Sequence, residues 1–181
     1  MDRPSAQAMA LAAYHWGQPA TPAGVATVAL HLGAEASALA WGHGPEPEQV
    51  AELPIALDRL VRRHLASQRP SELAIETAIA ETEDVVMPWR RRLPSGARLV
   101  SLDPGLASLA AHAGQPTDGS RPWRTDEVED LFNRWAAVAL GRPATQDNLP
   151  TGGLPAARLL VLHEWLHHLG FDAITVATTT P

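Results

Sequence analysis

The chain has 181 residues, 45% of them hydrophobic, which suits one folded domain over residues 1–181. No uninterrupted apolar run reaches the roughly 18–20 residues of a membrane span, so no membrane partner is expected. The 14 basic residues are all arginine, which removes lysine Schiff-base chemistry and a Walker-type lysine, and the net charge of −6 disfavours nucleic acid as a partner. Absence of cysteine excludes disulfides, thiolate catalysis and cysteine-held zinc. Met1-Asp2-Arg3-Pro4 has no basic segment leading into an apolar one, so a cytosolic location is expected.

Residues 5–16 are alanine-rich and free of proline, which predicts an opening helix, broken by Pro19, Pro22 and Gly24. Residues 25–41 carry β-branched side chains before Gly33 and alternation after it, the pattern of two strands joined by a tight turn at Gly33-Ala34. Residues 42–48 (GHGPEPE) form another turn, and residues 50–55 a short third strand. Leu57, Leu60, Val61 and Leu65 have helical spacing, and after Pro70-Ser71 a second helix runs to about Val86, where Pro88 stops it. The run Arg90-Arg91-Arg92 reads as a solvated surface segment.

Residues 98–102 predict a buried strand, residues 105–113 a helix, and residues 114–122 a polar loop. Thr125 is placed as the N-cap of a helix carrying Val128, Leu131, Phe132, Trp135 and Val138. A loop over residues 141–155 leads into a helix at 156–169 closed by Gly170, and residues 173–177 form a last strand. This order indicates a mixed α/β fold, with three antiparallel strands followed by helices and further strands.

One motif stands apart. His163-Glu164-Trp165-Leu166-His167 reads HExxH on a helix, so His163 and His167 share a face and could hold zinc, with Glu164 as general base. A metzincin-type third histidine would fall at position 173, which is alanine, and Asp172 is the only downstream carboxylate. The competing reading is an amphipathic helix with Leu159, Leu162, Leu166 and Leu169 inward and the histidines near the surface. Zinc is expected only if the histidine pair binds it.

Read together, the element order and several blurred motifs resemble the second lobe of the exopolyphosphatase/guanosine-pentaphosphatase (Ppx/GppA) family, in the actin-like (ribonuclease H-like) superfamily. SAQAMALAAYHWG (5–17) is similar to the family helix SGEEEARLxYLG, and VALHLGAEASALAWG (28–42) to its hairpin DIGGGSTELVLG. VAELPIALDRL (50–60) resembles SLPLGxxRL, and GARLVSLDPGLASLAAHAG (96–114) resembles LVGVGGTATTLAAL. GGLPAARLLVLHEWLHHLGFDAITVA (152–177) follows the pattern that ends GxxILxxLLxxLGxxxITVS. The resemblance implies a single actin-like lobe, with the first lobe absent from the chain.

In such a site phosphoanhydride hydrolysis needs glycine-rich backbone against the phosphates, acidic side chains around a divalent cation, and a base for water. Here the hairpin aspartate is His31, one glycine of the triplet survives as Gly33, and the serine and glutamate become Ala36 and Ala38. The acidic positions of the opening helix are Gln7, Ala8 and Met9, and the GGT loop becomes Asp103-Pro104-Gly105. Arg59 and Arg158 match family arginines and are the candidates for phosphate contact. Trp16 and Trp165 stand near family glycines, which suggests a cleft filled with bulk. The expectation is a non-catalytic domain that acts in protein or ligand binding without cofactor, with magnesium only if residual exopolyphosphatase-type activity survives. Its partner would be a second copy or a separate lobe-supplying protein.

Overall fold

The computed structural model describes residues 4–143 and 148–178. Helix α1 (Ala6–Gly17) starts where the Ser5 hydroxyl accepts a hydrogen bond from the Ala8 amide at 3.2 Å, satisfying one of the orphan donors of the first turn. It leads to strands β1 (Thr27–Leu32), β2 (Ser37–Gly42) and β3 (Gln49–Leu53), then to the short helix α2 (Leu57–Leu60). The predicted helix from Leu57 does continue, but as a wide π turn over Val61–Leu65. Helix α3 (Glu72–Val86) is capped by the Ser71 hydroxyl. Pro88 does not end the helical path; a 3-10 segment, Met87–Arg91, carries it on and buries Trp89 edge-on against Trp41.

Strand β4 (Arg98–Ser101) is followed by α4 (Pro104–His112), β5 (Trp123–Arg124), α5 (Thr125–Ala139), α6 (Gly153–Leu169) and β6 (Ala173–Val176). All the strands join one sheet in the order β3-β2-β1-β4-β6-β5. The first three form an antiparallel meander, β1, β4 and β6 run parallel, and β5 closes the edge antiparallel to β6.

Alternation along β1 divides the core. Val28, Leu30 and Leu32 face the larger helical layer, whereas Ala29 faces α1 with Ala38, Ala40 and Val100. Small side chains on that second face let α1 lie close to the sheet. The opposite layer is built around α6, which packs against α2, α3, α4 and α5. Helix α6 is therefore not amphipathic as the leucine spacing suggested: Leu159, Leu160, Val161, Leu162, Trp165 and Leu166 are all buried, as expected of a helix with neighbours all round. No helix among the described residues is long and apolar enough to cross a membrane.

Two further expectations change. Thr125 is the first residue inside α5, and Arg124 is the cap, its amide donating to the Glu127 carboxylate at 3.0 Å. The Thr125 hydroxyl instead donates to the Phe171 carbonyl at 2.6 Å, tying α5 to the approach to β6. Strand β5, only two residues long, lies at the end of the predicted loop and exists through its pairing with β6.

Candidate functional site

The carboxyl ends of parallel β1 and β4 open into a cleft of about 650 Å³, the place where open α/β sheets hold ligands. Its walls come from the start of α1, the β1–β2 turn, Glu52 of β3, the start of α4, and Arg158 of α6. His31, Gly33, Ala36, Asp103 and Arg158 all line it. Ala38 does not; it is fully buried in β2, opposite His31 in the strand register. Arg59 lies elsewhere, donating to the Pro54 carbonyl at 3.1 Å beside Glu81, which also takes Arg63 and His64 at 2.8 Å each. Trp16 and Trp165 do not line the cleft either: Trp165, on α6, is fully buried, and the Trp16 ring packs over Gly119.

Asp103 is the organising residue. Its carboxylate is buried and caps α4, one oxygen accepting from the Gly105 and Leu106 amides at 2.7 and 3.3 Å. The other oxygen accepts from the Leu32 amide at 3.0 Å. Arg158 Nε lies 3.6 Å from the first oxygen and His31 Nδ1 lies 3.2 Å from the second, contacts of charge rather than aligned hydrogen bonds. Arg158 also donates to the Leu32 carbonyl at 3.2 Å. Burial raises the affinity of this carboxyl for a proton. The contact with His31, the charges of Arg158 and His31, and the Gly105 amide outweigh it and hold the carboxyl below its ordinary range.

Two glycines make this arrangement possible. A β-carbon on Gly105 would stand 2.1 Å from the Arg158 guanidinium carbon, so the arginine lies directly over that backbone. A β-carbon on Gly33 would stand 2.1 Å from the Ala36 carbonyl oxygen, so the hairpin turn could not close. The turn is then braced by α2, whose Leu57 and Asp58 amides donate to the Gly33 and Ala34 carbonyls at 3.3 and 2.9 Å. Glu35 and Glu52 stand exposed at the rim, so the cleft holds three carboxylates against one guanidinium and one imidazole. At the start of α1, Gln7 and Met9 line it with no acidic side chain.

The HExxH residues are placed differently from the zinc reading. His163 is half-buried: it stacks on Phe132 with ring centroids 4.2 Å apart, and its Nδ1 donates to Glu164 at 2.8 Å. His167 is exposed. Among the described residues no third ligand joins that pair; the group whose metal-binding atoms converge is Glu83, Glu164 and His168. Glu52, Glu83 and His168 were not singled out from the sequence, although the i,i+4 spacing of Glu164 and His168 was visible there.

No protein-family model matches the chain, and no curated protein matches it. Solved structures do. A study of the Aquifex aeolicus PPX-GPPA enzyme shares 14% identity over 95% of this chain and 60% of its own, with a TM-score of 0.74. The type II variant crystal structure of the Aquifex aeolicus Ppx/GppA phosphatase gives 14% identity, 94% and 59% coverage, and a TM-score of 0.76. An exopolyphosphatase from Cytophaga hutchinsonii gives 15% identity, 94% and 59% coverage, and a TM-score of 0.67. The chain spans about 60% of the length of these structures. Its fold, a six-stranded mixed sheet between helices, is similar to that part of these Ppx/GppA structures.

Proposed function

We propose that this Ppx/GppA-like domain is non-catalytic and works in the cytosol by binding protein or ligand, with a second copy or a separate lobe-supplying chain as its protein partner, rather than by hydrolysing phosphoanhydrides. The observation that carries this reading is the Asp103 carboxylate, which takes up the Leu32, Gly105 and Leu106 amides and pairs with Arg158 and His31. Those are the donors a phosphate would need, and an anion belonging to the chain itself has claimed them. An incoming phosphate would also meet Glu35 and Glu52 at the rim. The start of α1 supplies no carboxylate to act as base for water.

The test is phosphate release from polyphosphate and from guanosine pentaphosphate with magnesium present. No release above the blank is expected. Turnover that disappears in Arg158→Ala would overturn the reading in favour of a residual phosphohydrolase, with magnesium as its cofactor. Light scattering of the purified chain addresses the partner: a monomer removes the self-association arm and leaves the separate chain.

A further inference from the structure

We propose that Glu83, Glu164 and His168 form a site for a divalent transition-metal ion of the zinc class, clasping α3 to α6. Glu164 is 3% exposed, and His168 one turn later turns its Nε2 to 3.0 Å from a Glu164 oxygen. The same nitrogen lies 3.0 Å from a carboxylate oxygen of Glu83, which reaches across from α3. One ring nitrogen thus stands between two carboxylates. It carries at most one proton, and a single N–H cannot serve two acceptors at full strength. A divalent cation satisfies all of them at once, taking the lone pair of a neutral imidazole and one oxygen from each glutamate.

The dimensions agree with this. All the donor atoms lie within 4.8 Å of one another. A tetrahedral zinc ion with bonds of about 2.0–2.2 Å has ligand-to-ligand edges of roughly 3.3–3.6 Å. The 3.0 Å contacts therefore need to open by only a few tenths of an ångström, and the Glu83 side chain, 41% exposed, is free to give. A second feature is independent of the ligands. The remaining Glu164 oxygen accepts from His163 Nδ1 at 2.8 Å, and the His163 ring is itself fixed face-on against Phe132, 12° from parallel. A ligating carboxylate oriented by an outer hydrogen bond is what metal sites require of their surroundings. The HExxH spacing therefore marks a metal-suited stretch of helix with the roles moved: Glu164 is a ligand, His163 orients it, and the second histidine ligand is His168 rather than His167.

The experiment is zinc titration of the full chain after chelator treatment, read by calorimetry and by thermal denaturation. One zinc per chain is expected, with a raised unfolding midpoint. His168→Gln and Glu83→Gln should each weaken binding by at least about 10-fold, and His163→Ala by about 10- to 100-fold. Glu83 is exposed enough that its variant keeps the fold, which circular dichroism without zinc verifies. His167→Ala should leave the affinity unchanged. Absence of stoichiometric binding by the wild-type chain overturns the proposal. So does binding that survives His168→Gln and Glu83→Gln but is lost in His167→Ala.

Discussion

Asp103 and Glu164 are equally buried, each 3% exposed, but what surrounds them differs in kind. Asp103 is held by three backbone amides, with a guanidinium and an imidazole beside it. Glu164 is held by two imidazoles, and one of these is shared with a second carboxylate. Amides and a guanidinium are permanent donors, whereas an imidazole nitrogen can surrender its proton and become a ligand. Burial sets how costly each charge is to leave alone; the identity of the partners sets whether anything else can enter. In the cleft the backbone donors are taken by the Asp103 carboxylate, and the α3–α6 cluster is held by groups that a cation can recruit.

Isosteric amides test this contrast most directly and should give the largest effect. In Asp103→Asn the new NH₂ must confront either the Leu32 amide or the Gly105 and Leu106 amides, because both oxygens of the native carboxylate accept from backbone N–H. Arg158 also loses its counter-charge. The expected loss is about 3–5 kcal/mol in urea unfolding, the range for breaking a buried pair by removing one partner. Glu164→Gln should cost about 1 kcal/mol, since either histidine can change tautomer and accept from the new amide. Equal losses in the two variants would break the comparison.

The acid limb of stability sharpens it further. The folded-state pKa of Asp103 is lowered relative to the unfolded chain, so its contribution is fully present above the unfolded value, about 3.9. As pH falls from there toward the folded value, the unfolded chain takes up the proton first and stability declines. Unfolding midpoints measured from pH 6 to pH 3 should therefore fall more steeply for the wild type than for Asp103→Asn, which has no proton to gain at that position. Parallel curves would mean that the cleft contacts do not favour the ionised carboxylate.

Much of the fold was legible because its signals are local. The β1–β2 hairpin announces itself by β-branched residues before Gly33 and alternation after it, and α3 by the break at Pro70-Ser71 that precedes its helical run. What could not be read depends on contacts far apart in the chain. Arg59 and Arg158 look alike in sequence; only the fold sets Arg158 against Leu32, 126 residues away, and leaves Arg59 with Glu81. Asp103 was visible as a departure from the GGT loop, but its hold on the Leu32 amide, 71 residues away, was not. The HExxH spacing singled out His163 and His167, whereas the contact between His168 and Glu83, 85 residues apart, could not be read from it. Strand β5 was missed because two residues cannot show a period.

Thr125 offers a small effect and a control outside both carboxylate regions. Its hydroxyl donates to the Phe171 carbonyl at 2.6 Å, and its amide donates to the Asp172 carbonyl at 2.9 Å. Thr125→Val keeps the shape and the amide contact while removing the hydroxyl, so the Phe171 carbonyl loses one partner. The expected cost is about 1 kcal/mol in urea unfolding, the ordinary net value of a hydrogen bond. Because Arg124 rather than Thr125 caps α5, the helix start should survive, and circular dichroism should show no loss of helix. The acid limb set by Asp103 and any zinc affinity at Glu164 should be unchanged, since residues without shared partners act independently. A loss near that of Asp103→Asn would instead mean that the β5–β6 edge, pinned by this hydroxyl, holds the sheet together as strongly as the Asp103 contacts do.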